Sequence, residues 1–136
     1  MLLPLKRYAE FSGRSRRQEY WMFFLLNWIV AVFCIVLIFA GFPWTELDNP
    51  DAGPSPVFVM GLGLLVLWWL GTLIPSIAVA VRRFHDQNQS GWLYLLCLIP
   101  YVGGIVLLVF MCLDGTPGPN KFGPDPKGRG AGDVFA

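Results

Sequence analysis

Apolar and polar positions along this chain are arranged in long blocks. No charged residue occurs from Tyr20 to Thr45, from Ala52 to Val81 or from Gln87 to Leu113, windows of 26, 30 and 27 residues. A bilayer crossing needs about 20 predominantly apolar residues, so each window can hold one. The pattern predicts an all-α integral membrane protein, a small bundle of three apolar helical segments in a single domain over residues 1–136. A basic segment, 1–19, precedes a first span at 20–42. An acidic loop, 43–56, leads to a second span at 57–81. A polar loop, 82–91, leads to a third apolar segment at 92–113, and a Pro/Gly-rich tail, 114–136, follows.

Composition agrees with the block pattern. The chain is 55% hydrophobic and 14% charged, against roughly 45–50% and about 25% in ordinary soluble domains. A net charge of +1 gives no overall attraction to nucleic acid. Cys34, Cys97 and Cys112 are an odd number, lie in apolar runs and have no C-x-x-C spacing, so they read as small buried hydrophobes. No metal-ligand or cofactor motif stands out. Asp114 and Asp125 lack the intervening oxygen ligands and central glycine of a calcium loop.

Charge placement suggests an orientation. Lys6, Arg7, Arg14, Arg16 and Arg17 precede the first span, and Arg82 and Arg83 follow the second. The loop between them carries Glu46, Asp48 and Asp51 with no Lys or Arg. Basic residues collect on the cytoplasmic side, so the N-terminus and the Arg82 loop are expected there and the acidic loop outside, with Trp44 at the outer interface. A cleaved signal is not expected: Glu19 stands where a hydrophobic residue is needed, and the apolar run exceeds the roughly 7–15 residues of a signal core. A short interfacial helix is expected through Phe11, ended by Ser12-Gly13.

Each span carries polar or bulky residues that need partners. Asn27 in the first should face another helix and hydrogen-bond there. Trp68 and Trp69, near the middle of the second, should face a helix or fill a groove, because an indole N–H in hydrocarbon needs an acceptor. Pro75 removes a backbone donor, and Thr72 is placed to re-satisfy nearby backbone. Ser76 and Ala80 form a small-x-x-x-small pair suited to close helix approach. Ser90 is expected to cap the third apolar segment. Pro100-Tyr101-Val102-Gly103-Gly104 interrupts that segment. It reads either as one kinked span, the preferred form, or as a re-entrant helical hairpin, each arm of which would reach only roughly 15 Å. Four prolines between 117 and 126 exclude regular helix in the tail.

The candidate polar cluster is Arg14, Arg16, Arg17, Glu19, Arg82, Arg83, His85 and Asp86. Arg82 and Arg83 first of all anchor the end of a span. With Arg14, Arg16 and Arg17 they are also a candidate site for anionic lipid headgroups or an acidic partner segment. Glu19 is expected to pair with Arg82 or Arg83 and pin the first two spans together. His85 and Asp86 are neighbours in sequence and do not face each other on a helix. Acid–base use would need a third group, and none is identifiable.

Three motifs together carry a resemblance. They are F-S-G-R-S-R-R-Q-E-Y-W at 11–21, R-R-F-H-D-Q-N-Q-S-G-W at 82–92 and G-T-P-G-P-N-K-F-G-P-D-P at 115–126. In this order, with apolar spans between them, they resemble the bacterial inner-membrane proteins grouped as domain of unknown function family 805. The resemblance implies a bacterial inner-membrane location and a small helical bundle, and it implies no reaction. Ser12, Gly13, Arg14, Glu19, Arg82, Arg83, His85, Asp86, Ser90, Gly91, Trp92, Asn120 and Gly123 match the recurrent polar pattern. The leading expectation is a non-enzymatic accessory or scaffold protein that packs beside another integral membrane protein or self-associates. The alternative is binding or transport of a lipid or small solute through a cytoplasmic basic anion site. The third is a membrane enzyme using His85 and Asp86.

Overall fold

The computed structural model describes residues 1–44 and 53–128. The acidic loop's carboxylates and the last eight residues lie outside that range. The described residues form α1 (Leu3–Lys6), α2 (Arg17–Ala40), α3 (Pro56–Asp86), a 3₁₀ helix (Gly91–Leu98) and α4 (Val102–Cys112). No strand occurs among them; Asn120 and Gly123 form one isolated antiparallel bridge. The regular structure of the described residues is all helical, with two long apolar helices and one shorter one.

Several boundaries differ from those expected. α1 stops at Lys6 instead of running through Phe11. α2 begins at Arg17, ahead of Tyr20. α3 continues to Asp86, so Arg82–Asp86 are its last turn and not a loop. At 31 residues and about 1.5 Å per residue, α3 reaches roughly 46 Å, well beyond the roughly 30 Å hydrocarbon core. It therefore has length to spare for a polar end.

The residues divide into two compact units. One comprises Leu25–Leu73, the apolar parts of α2 and α3; the other comprises Met1–Phe24 and the chain from Ile74 onward. In the Leu25–Leu73 unit, Trp68 Nε1 donates to Asn27 Oδ1 at 3.0 Å, the interhelical bond expected of a polar side chain at that depth. A Cβ on Gly61 would stand 3.0 Å from Ile38 N and Leu37 Cβ, so the missing side chain lets the backbones approach. Ser55 Oγ accepts from Phe58 N at 3.2 Å and donates to Gly41 O at 2.5 Å, which caps α3 and ties it to the end of α2. Trp69 meets no partner helix or groove among the described residues and is 61% exposed, because it lies about 100° around the helix from Trp68. The Thr72 hydroxyl donates to Trp68 O at 2.8 Å. The carbonyl that Pro75 leaves without its usual donor is that of Gly71, and α3 continues through it.

Only 11% of the most apolar window of either long helix is buried. A core helix of a water-soluble protein would be mostly covered, since exposing this much apolar surface to water costs about 25 cal/mol per Å². The surface left open is the kind that hydrocarbon solvates.

In the other unit, Ala80, Phe84 and Met111 form the buried centre, surrounded by Tyr20, Trp21, Leu93, Tyr94, Leu107 and Phe110. Ala80 is thus buried, while Ser76 is half-buried. Ser90 caps the 3₁₀ helix, accepting from Trp92 N at 3.4 Å. With three residues per turn, Trp92, Leu95 and Leu98 align as one exposed apolar stripe.

The preferred single kinked span over 92–113 is not what forms. The 3₁₀ helix and α4 fold back on each other as a hairpin, and the 11 residues of α4 reach only roughly 16 Å. Gly103 makes the reversal possible: a Cβ there would overlap Leu96 O and crowd the Cys97 backbone. The hairpin returns the chain to the end of α3, where Gln87 Nε2 donates to Phe110 O and Arg83 Nη2 to Leu113 O.

Candidate functional site

The end of α3, the segment before α2 and the tail after α4 meet in one polar cluster. Asp86 is its centre. Two consecutive arginines at the end of an apolar helix point about 100° apart, so Arg82 and Arg83 need separate partners. Arg83, one helical turn before Asp86, pairs through Nη1 with Asp86 Oδ2. From outside the helix, Arg14 Nε donates to Asp86 Oδ1 at 2.9 Å. All three side chains are at most 2% exposed. Both carboxylate oxygens are thus engaged by guanidinium groups.

Arg14 also organises the tail. Its Nη1 donates to Gly118 O at 2.7 Å and its Nη2 to Thr116 O at 2.6 Å, with Asp125 Oδ1 at 3.8 Å. Thr116 donates to the Asp86 carbonyl through its backbone N–H at 2.9 Å and its hydroxyl at 3.1 Å. Asn120 Nδ2 donates to His85 O at 2.9 Å. A Cβ on Gly115 would overlap the Asp86 carboxylate, so only glycine lets the tail cross there. Residues 114–128 of the proline-rich tail form a run of turns and bends with no helix.

Glu19 pairs with Arg82, its Oε1 3.4 Å from Arg82 Nη2. Of the two partners expected for Glu19, the structure selects Arg82 and gives Arg83 to Asp86. The guanidinium nitrogens of Arg82 make no hydrogen bond among the described residues, so the contact is an ion pair without hydrogen-bond geometry. Ser15 N donates to Arg82 O at 3.2 Å, joining the two segments through backbone as well.

His85 and Asp86 serve different neighbours. The His85 ring stacks on Phe122 with centroids 3.8 Å apart and planes 6° apart, and its Nδ1 lies 3.3 Å from Gly13 O. Since a carbonyl only accepts, Nδ1 carries the proton in that contact. Arg82 and Arg83 are fully buried, so the anion site expected on them is not open to a headgroup. Of the expected basic cluster, Arg16 and Arg17 remain accessible, at a rim they share with Lys127. Arg16 Nε donates to Pro126 O at 2.5 Å. Arg17 and Lys127 share Asp114 at 3.3 and 2.8 Å. Those two hydrogen bonds, that of Lys127 first, pull the Asp114 carboxyl down to about 2 from its ordinary 3.8.

Sequence reasoning missed the roles of Asp114, Gly115, Thr116, Phe122, Asp125 and Lys127. The available signal was the two adjacent arginines, which call for two carboxylates, and the i, i+3 spacing of Arg83 and Asp86. Among the described residues no group of three His, Cys, Asp or Glu side chains could hold a metal ion.

A family model described as "Protein of unknown function (DUF805)" matches residues 8–124, which takes in all three motifs. The inner membrane protein YhaH of Escherichia coli K12 is 43% identical over 128 residues, covering 93% of this chain and 94% of that protein. The inner membrane protein YhaI of the same strain is 42% identical over 127 residues, covering 93% of each chain. The uncharacterized protein YiiR is 28% identical over 142 residues, covering 86% of each. No solved structure is significantly similar to the chain.

Proposed function

The chain belongs to the DUF805 family and is an inner-membrane protein, and on that premise we propose that it is a non-enzymatic accessory or scaffold subunit, binding through its membrane-embedded faces to another integral membrane protein or to itself. The observation that carries this reading is a pair of outward-facing tryptophans. Trp28 and Trp69 are 58% and 61% exposed and lie well inside the apolar stretches of α2 and α3. Neither indole N–H has a hydrogen bond among the described residues, whereas Trp68, next to Trp69 in sequence, has Asn27. Hydrocarbon offers no acceptor, and an unsatisfied polar group there is costly. A helix of another protein, or of a second copy, supplies one.

The polar cluster has a supporting part in this reading. It clamps the N-terminal segment, the α3 end and the tail into one face, which the positive-inside rule puts in the cytoplasm. The hairpin of the 3₁₀ helix and α4 then enters the bilayer and returns on that same side.

The test is purification from the native membrane in mild detergent. A homo-oligomer or a stoichiometric membrane partner is expected, and replacing Trp28 and Trp69 together by phenylalanine should release it while leaving the melting temperature within a few degrees of the parent. A lone monomer, from native membranes and at every detergent concentration tried, would refute the reading.

A further inference from the structure

We propose that the groove between the start of α2 and the tail binds the phosphodiester headgroup of an anionic phospholipid. Arg16, Arg17, Gln18, Trp21, Met22 and Lys127 line it, around a volume of about 650 Å³. Three cations converge on it, and their bonds leave most of their charge unspent. Among the described residues, the Arg16 side chain is tied only to a neutral carbonyl, that of Pro126. Arg17 and Lys127 share the single carboxylate of Asp114. Among the described residues, three cations against one carboxylate leave two positive charges at the groove.

The remaining wall says which anion fits. Trp21 and Met22 stand one turn into α2, where the charged segment gives way to the uncharged run from Tyr20. Tryptophan favours the headgroup level of a bilayer. A soluble anion would use the cations and leave the apolar wall wet, whereas a phospholipid uses both: phosphodiester oxygens on Arg16, Arg17 and Lys127, and the start of its acyl chains along Trp21 and Met22. Guanidinium groups match phosphate oxygens in two-pronged geometry. This assignment is independent of the association through Trp28 and Trp69, and it moves the anion site from Arg82 and Arg83, which are buried, to the accessible rim.

Asp114 makes the site testable in both directions. It competes with the phosphodiester for Arg17 and Lys127, so removing its charge should strengthen binding even as it breaks two ion pairs. The experiment is native mass spectrometry of the full chain, released from nanodiscs of phosphatidylcholine doped with phosphatidylglycerol. The parent should retain phosphatidylglycerol in preference to phosphatidylcholine. Each basic residue near a membrane surface is worth about five-fold in binding an anionic lipid, so the Arg16→Gln/Lys127→Gln double variant should lose on the order of 25-fold. Asp114→Asn should gain several-fold, an effect that loss of structure cannot mimic. Arg7→Gln, which removes an exposed cation outside the groove, should change retention little. Equal retention by the parent and the double variant would overturn the proposal. So would weaker retention by Asp114→Asn, or displacement of the lipid by inorganic phosphate at concentrations comparable to the lipid's own.

Discussion

The Asp86 cluster and the Asn27–Trp68 contact both hold helices together, and they do so with opposite chemistry. Around Asp86, Arg14 and Arg83 bury two positive charges on one carboxylate, and a further ion pair, Arg82 with Glu19, lies beside them. In the Leu25–Leu73 unit, one neutral hydrogen bond and the close approach at Gly61 suffice. Removing charges from water carries a penalty of several kcal/mol per ion unless each finds a partner. A charge network is therefore all-or-none, and it specifies which segments must meet. A neutral amide–indole bond is cheaper to form, and cheaper to lose.

The widest separation between the two regions comes from Asp86→Asn. That change leaves Arg14 and Arg83 buried without their common counter-charge, and breaking a buried pair in this way costs about 3–5 kcal/mol. The tail loses its clamp at the same time, since Arg14 holds Thr116 and Gly118 as well as Asp86. Thermal unfolding in detergent should show a large drop in melting temperature, and limited proteolysis should cut first after residue 113. An Asp86→Asn protein that melts like its parent would mean the carboxylate is not the hub.

Asn27→Leu is the matched change in the apolar unit. Interhelical hydrogen bonds in membrane proteins average about 0.6 kcal/mol, so the same melting experiment should register a shift of about that size, several times smaller than for Asp86→Asn. The Trp68 indole N–H would lose its acceptor, and red-edge fluorescence should report the change. Equal losses from the two substitutions would remove the contrast between the regions.

The two regions were also unequally legible in the sequence. Asn27 and Trp68 could be marked as partners in waiting, because a polar group deep in an apolar run has few ways to be satisfied. Glu19 could be matched to the arginine pair for the same reason. Asp86 was harder. Placed in a loop beside His85, it had no third group to complete an acid–base set and no evident partner; placed in the last turn of α3, its natural neighbour is Arg83. Its other partner, Arg14, is 72 residues away, and the tail contacts of Arg14 span more than 100. No periodicity encodes contacts of that range, and prolines strip the tail of any regular pattern. The third apolar segment failed differently. Its 22 residues suit a kinked span or a hairpin equally by hydropathy, and what decides is where Gln87, Arg83 and Asp86 hold the far end, which is tertiary information.

The finest distinction is between the two carboxylates Asp86 and Asp114, one at the centre of the polar cluster and one at its rim. Asp114 is more than half exposed, and Lys127 and Arg17 hold its carboxyl at about 2 against an ordinary 3.8. A depressed carboxyl favours the folded form while it is ionised. Its contribution is present above pH 3.8 and is lost as pH falls through about 2, by proton linkage. Because water screens an exposed pair, this loss should leave the melting temperature almost unchanged. It should be visible instead in the side chain's own titration. Carboxyl-carbon NMR of a selectively labelled sample should give a midpoint near 2, moving toward 3.8 in Lys127→Gln and in high salt. A parent midpoint at the ordinary value would mean that Arg17 and Lys127 do not dwell on Asp114. All three groups would then be open to solvent, and the rim would be a loose basic edge and not a preformed groove.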